Sequence, residues 1–141
     1  MSGRAGSPVL VVAGALLLGL SGCGGSPSAP PTPQRTLIAQ GSSDVPPLSQ
    51  GVGFFVTAQI TGTATLEATV DWTSASSQVA VFWGQGNCAQ NPNCPVLVSD
   101  TTTAKPKTVT AANLPAGTYS LAVLNLGTTS ESVSYQIFLV R

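Results

Sequence analysis

Residues 64–73 alternate strictly, and that pattern constrains the chain more than any other stretch. Leu66, Ala68, Val70 and Trp72 fall on one side of an extended strand, while Thr65, Glu67, Thr69 and Asp71 fall on the other. Successive side chains of a strand point to opposite faces, so this is a strand with one dry face and one wet one, the habit of antiparallel sheets. The two-residue period continues on both sides of it. Further strands are predicted at 36–40, 54–61, 78–83, 95–99, 107–112, 118–125 and 133–140. Their inward sets include Phe54, Val56, Ala58 and Ile60; Val79, Val81 and Trp83; Tyr119, Leu121 and Val123; and Tyr135, Ile137 and Leu139. Pro46-Pro47, Gly51, Gly53 and Gly62 punctuate the runs, and Leu114-Pro115-Ala116-Gly117 puts Pro and Gly where a type I turn favours them. About eight strands at regular spacing, with no helical period, predict an all-β fold. The expected architecture is a single antiparallel β-sandwich, jelly-roll or Ig-like, over residues 36–141.

The first 35 residues have a different character. Arg4 precedes an uncharged apolar run from Val9 to Leu20, too short for the ~20 residues of a membrane-spanning helix but right for a secretory signal. Leu20-Ser21-Gly22-Cys23 closes it. An aliphatic residue, two small ones and a cysteine resemble the lipobox of bacterial lipoproteins. The resemblance implies a signal peptide over 1–22, a diacylglycerol (and with it palmitate-type acyl chains) on the Cys23 thiol, and cleavage before Cys23. Each buried methylene contributes about 0.8 kcal/mol, so two or three chains on one cysteine hold a protein permanently where one does not. Residues 23–35 then form a lipidated Cys and a flexible, Pro-rich tether. Gly and Ser loosen its first half, and Pro30, Pro31 and Pro33 extend the second, for a reach of about 35–40 Å. A spacer suits this composition better than a Pro-rich recognition peptide. The expected location is the extracytoplasmic side of the cell envelope; Gly24, rather than an Asp, after the cysteine favours the outer membrane in a Gram-negative cell.

Without residues 1–22 the chain has 119 residues, one domain's worth. Its four basic residues (Arg35, Lys105, Lys107, Arg141) face five acidic ones (Asp44, Glu67, Asp71, Asp100, Glu131), so no basic surface exists to neutralise phosphates and nucleic acid is excluded as a partner. Cys88 and Cys94 remain as a pair, and in an exported protein they are expected to form a disulfide. On the chain-entropy estimate so short a loop gains about 2 kcal/mol, and its main effect is to fix shape. A metal site lacks a third thiol and any histidine, and the spacing is not that of a redox Cys-x-x-Cys.

Residues 53–57, 62–72, 78–83, 114–123 and 133–139, taken in order, resemble the bacterial pre-peptidase C-terminal domain. That resemblance implies a β-sandwich accessory module of a secreted protein, some members of which bind calcium, collagen or polysaccharide. The family's frequent Asp-x-Asp falls where this chain reads Gln78-Val79-Ala80-Val81, so a calcium role there is not expected.

Catalysis is not expected, and no cofactor or metal is implied. Histidine is absent, and Glu67 and Asp71, four apart on one strand face, sit about 13 Å from each other, too far for a glycosidase pair. Lys105 and Lys107 read as solubilising. Phe55, Phe82 and Phe138 fall on the outward faces of their strands, where a sandwich shows polar groups. Two readings stand. As neighbours in space they form an apolar patch that marks a partner surface; apart, they cover strand edges or lie beneath the Pro-rich start of the domain. The Cys88–Cys94 loop, with Asn87, Gln90, Asn91 and Asn93, is a second candidate surface. The expectation is a lipid-anchored module, held to a membrane through Cys23, that binds an envelope or extracellular protein or glycan. The alternative is a structural envelope lipoprotein with no ligand of its own.

Overall fold

The dry faces that alternation predicts require two sheets to close on each other, and they do. A computed structural model describes residues 32–50, 53–91 and 93–141. These residues form eight strands: β1 (Arg35–Val45), β2 (Phe54–Ile60), β3 (Ala64–Trp72), β4 (Val79–Gln85), β5 (Val96–Asp100), β6 (Lys107–Leu114), β7 (Gly117–Asn125) and β8 (Glu131–Val140). A single 3-10 turn, Leu48–Gln50, precedes β2. One sheet has the order β1-β8-β3-β6 and the other β2-β7-β4-β5, with every strand pair antiparallel. The chain changes sheet at every connection except β4 to β5. That order makes the sandwich a jelly roll. Residues Thr32–Arg141 form one compact unit. Among the described residues no helix is long and apolar enough to cross a membrane.

The core is built from the predicted inward sets. Leu66, Ala68 and Val70 on β3, Val79, Val81 and Trp83 on β4, Leu121 and Val123 on β7 and Ile137 on β8 are all fully buried between the sheets. Buried indole and phenol groups must find partners. Trp83 Nε1 donates to the Val109 carbonyl, Trp72 Nε1 to that of Ser77, and Tyr119 Oη to that of Pro115 at 2.9 Å. The last of these clasps the β6–β7 turn back onto β7, as a tyrosine corner does.

Two boundaries differ from expectation. Gln34 and Arg35, assigned by composition to the tether, belong to the sheet: Gln34 and Arg141 exchange both backbone hydrogen bonds, and Arg35 pairs with Val140. At the other end β1 runs through Gly41, Ser42, Ser43 and Asp44 to Val45, beyond the predicted strand end at Gln40. Pairing with residues 131–135 of β8 overrides their weak strand preference. Gly41 has a specific reason to be there, since a Cβ would come within 2.9 Å of Tyr135 Oη.

Lys107 is a correction. It is 1% exposed, the first residue of β6, and points inward with Val109 and Ala111. Its Nζ donates to the carbonyls of Val79 (2.5 Å) and Asp100 (3.1 Å) and lies 3.5 Å from the Asp100 carboxylate, tying β6 of one sheet to β4 and β5 of the other. Glu131 is 2% exposed at the start of β8 and accepts from the Thr73 and Ser77 hydroxyls and the Ser74 N–H, which fastens the β3–β4 connection. Cys23 and most of the tether lie outside the described residues.

Candidate ligand-binding groove

Phe55 of β2 and Phe82 of β4 stand opposite the same residue, Ala122 of the intervening β7. Ala122 is fully buried although it faces outward, because the two rings flank and cover it. Phe138 lies elsewhere. It is on β8, in the other sheet, paired with Glu67 and Leu37. The Arg35 guanidinium lies 3.4 Å above its ring centroid and ion-pairs with Glu67. The three phenylalanines therefore form no single patch: two converge, and the third is a platform under an ion pair.

The disulfide loop joins the two that converge. The Cys88–Cys94 disulfide forms, closing a hairpin loop between β4 and β5. Gly84, the next outward residue after Phe82, lies directly beneath it; a Cβ there would run into both sulfur atoms. Gly86 adopts φ 93°, which glycine reaches freely, and this turns the chain up from the sheet. Ser120 of β7 then fixes the loop from below. Its hydroxyl donates to the Gly86 carbonyl at 2.7 Å and accepts from the Cys88 N–H at 3.0 Å. Gly86 N–H donates to the Thr118 carbonyl, and Gln85 N–H to that of Pro95. Inside the loop, the Gln90 and Asn91 N–H groups both donate to the Asn87 carbonyl, and Asn91 Oδ1 accepts from the Asn93 N–H.

Together these residues enclose a groove of about 280 Å³ lined by Phe55, Phe82, Cys88, Ala89, Gln90, Asn91, Cys94 and Val96. Its floor is aromatic, its wall a cross-linked loop, and its rim carries two exposed side-chain amides. Among the described residues, no charged side chain lines it. Among the described residues, nothing accepts a hydrogen bond from the Gln90 or Asn91 side-chain amide. The groove merges two surfaces that the sequence presents as separate. Alternation marks Phe55 and Phe82 as outward, but only the sheet order β2-β7-β4-β5 brings them together.

A broader depression, about 540 Å³, opens on the outer face of the other sheet among Gln40, Ser42, Thr69, Asp71, Ser134 and Gln136. Its one carboxylate, Asp71, is paired with Lys105 at 3.2 Å, and Glu67 is taken by Arg35. The two carboxylates thus act in separate ion pairs. Thr102 holds the Asp100 carboxyl below its ordinary range through side-chain and backbone hydrogen bonds, with Lys107 adding to them against the effect of burial. Burial pushes the Glu131 carboxyl up, but the hydrogen bonds from Ser77, Ser74 and Thr73, with the charge of Lys105, outweigh it and leave the group lowered. Among the described residues no three potential metal ligands converge.

No family model and no curated protein sequence matches this chain. Among solved structures, the fold is similar to that of the Yersinia pseudotuberculosis-derived mitogen (YPM), with a TM-score of 0.55 at 10% identity, over 75% of this chain and 86% of that one. A likeness at that identity is one of fold.

Proposed function

We propose that this chain is a lipid-anchored, extracytoplasmic binding module, and that its ligand is a neutral glycan of the cell envelope or its surroundings, seated in the groove between Phe55, Phe82 and the disulfide loop. The observation that carries this reading is the convergence of two aromatic rings with a rigid, amide-bearing rim in an uncharged concavity. Aromatic faces pack against the C–H faces of sugar rings, and side-chain amides both donate to and accept from hydroxyls. A loop already held by a disulfide and by Ser120 loses little freedom on binding. Binding rather than catalysis is also what the pre-peptidase C-terminal resemblance implies. The lipobox resemblance supplies the location: acylated Cys23 holds the sandwich to a membrane from outside.

Two experiments test the two halves. Retention of the full chain on insoluble polysaccharides should be strong for neutral ones and abolished in Phe82→Ser, with Phe138→Ser, on the far sheet, binding as the parent does. Equal retention of Phe82→Ser and the parent contradicts the groove. Retention of neither, alongside capture of a defined protein partner, moves the ligand to the protein class; binding nothing at all leaves the structural lipoprotein. For the anchor, mass spectrometry should find acyl chains on the parent chain and none on Cys23→Ser; an acylated Cys23→Ser chain contradicts the assignment.

A further inference from the structure

An antiparallel sandwich has four edge strands, and each offers a row of unpaired backbone groups to any strand that approaches. Natural proteins guard such edges with charges, inward-pointing charged side chains, bulges or short length. Three of the four edges here are guarded. β1 carries Arg35 and Asp44 and has a bulge between Leu37 and Ala39. β5 has only five residues, ends in Asp100 and meets β4 through an irregularity at Gly84. β6 starts with the inward-pointing Lys107 and shifts register against β3 between Ala64 and Leu66.

β2 has none of these devices. Its seven residues, Phe54–Ile60, contain no charge, no proline and no glycine, and they pair with β7 in unbroken register. Among the described residues β7 is its one ladder partner. Two of its inward side chains, Phe54 and Val56, stay half-buried where their counterparts on β4 and β7 are fully covered.

We propose that the free edge of β2 pairs antiparallel with β2 of a second copy of this chain, centred on Thr57. Such a contact is isologous and closes as a two-fold dimer. The strand fits its own copy. In this register Phe54 meets Ile60 of the other copy, Val56 meets Ala58, Phe55 meets Gln59, and Thr57 meets itself. Apolar inward residues are matched with apolar ones, the core continues across the junction, and no like charges oppose. The two-fold axis runs perpendicular to the joined eight-stranded sheet, so both grooves open on one face of it. A polymeric ligand reaching both then gains by effective concentration. The pairing itself does not depend on what the groove binds.

The test is cross-linking of the full chain in its native membranes with a short bis-maleimide. Across the axis two Thr57→Cys thiols face each other at directly opposed strand positions, whereas two Gln59→Cys thiols are offset by four residues, about 13 Å. Thr57→Cys should shift to a covalent dimer, and Gln59→Cys should stay at the monomer mass. In addition, Thr57→Lys, which sets two ammonium groups against each other, should halve the sedimenting mass of the parent chain, while Thr57→Val should not. A parent chain that sediments as a monomer, or cross-linking that is equal at the two positions, overturns the proposal.

Discussion

Lys107 and Glu131 show how much a single buried charge does in this sandwich. The Lys107 ammonium has two backbone carbonyls and one carboxylate for partners, all across the gap between the sheets. Replacing it with Met keeps the stem but strands those acceptors. Lys107→Met is expected to lower unfolding free energy by about 2–3 kcal/mol, read from the urea midpoint. Glu131 acts through its ionised form. Its carboxyl is lowered from 4.5 in the folded protein, so the stabilisation it brings is complete above that value and is lost as the pH falls through the folded value. Glu131→Gln should therefore cost about 2 kcal/mol at neutral pH, and the gap to the parent should close on acidification below about 4.5. Denaturation curves at a series of pH values check this; a gap that stays constant contradicts it. Both residues share strand parity with buried neighbours, Lys107 with Val109 and Ala111, Glu131 with Val133 and Ile137. Parity alone places them inward. Their charge argues for the surface, and what reverses that argument is a set of partners from distant strands that no local pattern reveals.

At the scale of strands and loops, legibility follows the same division. Period-two alternation finds all eight strands, and the inward faces of β2, β3, β4, β7 and β8, because each of those five has one side against the core. It misses the full length of β1, whose Gly41 to Asp44 segment is held only by β8. It also leaves pairing open. β7 and β8 follow one another through a tight turn yet lie in different sheets, so adjacency in sequence does not give the groove. The pairing of Cys88 with Cys94 is legible in the sequence as the two thiols that remain once Cys23 is set aside; their seat on Gly84 and Ser120 is not. Gly84 is the sharpest test of that seat. Gly84→Ala pushes a methyl group into both sulfur atoms, and overpacking of this kind costs about 1–3 kcal/mol. The variant should unfold at lower urea and show a displaced loop, seen as altered amide resonances for Gly86, Cys88 and Gln90. Unchanged resonances would mean that the loop does not rest there.

The two sheets present different outer faces. One outer face is polar and laced by the Arg35–Glu67 and Lys105–Asp71 ion pairs, which contribute little each at a solvated surface. The other carries Phe55, Phe82 and the disulfide loop, and among the described residues no charge lines the concavity between them. The outward Phe138 belongs to the first face, as the base on which Arg35 rests. The second face carries the proposed binding, and calorimetric titration tests it directly. The full chain is titrated with neutral oligosaccharides released from its host's own envelope, beside folded Phe82→Ser and Phe138→Ser variants. Saturable binding by the parent and by Phe138→Ser, with at least a tenfold loss (about 1.4 kcal/mol) in Phe82→Ser, is the predicted result. Equal affinity in all three chains would contradict it.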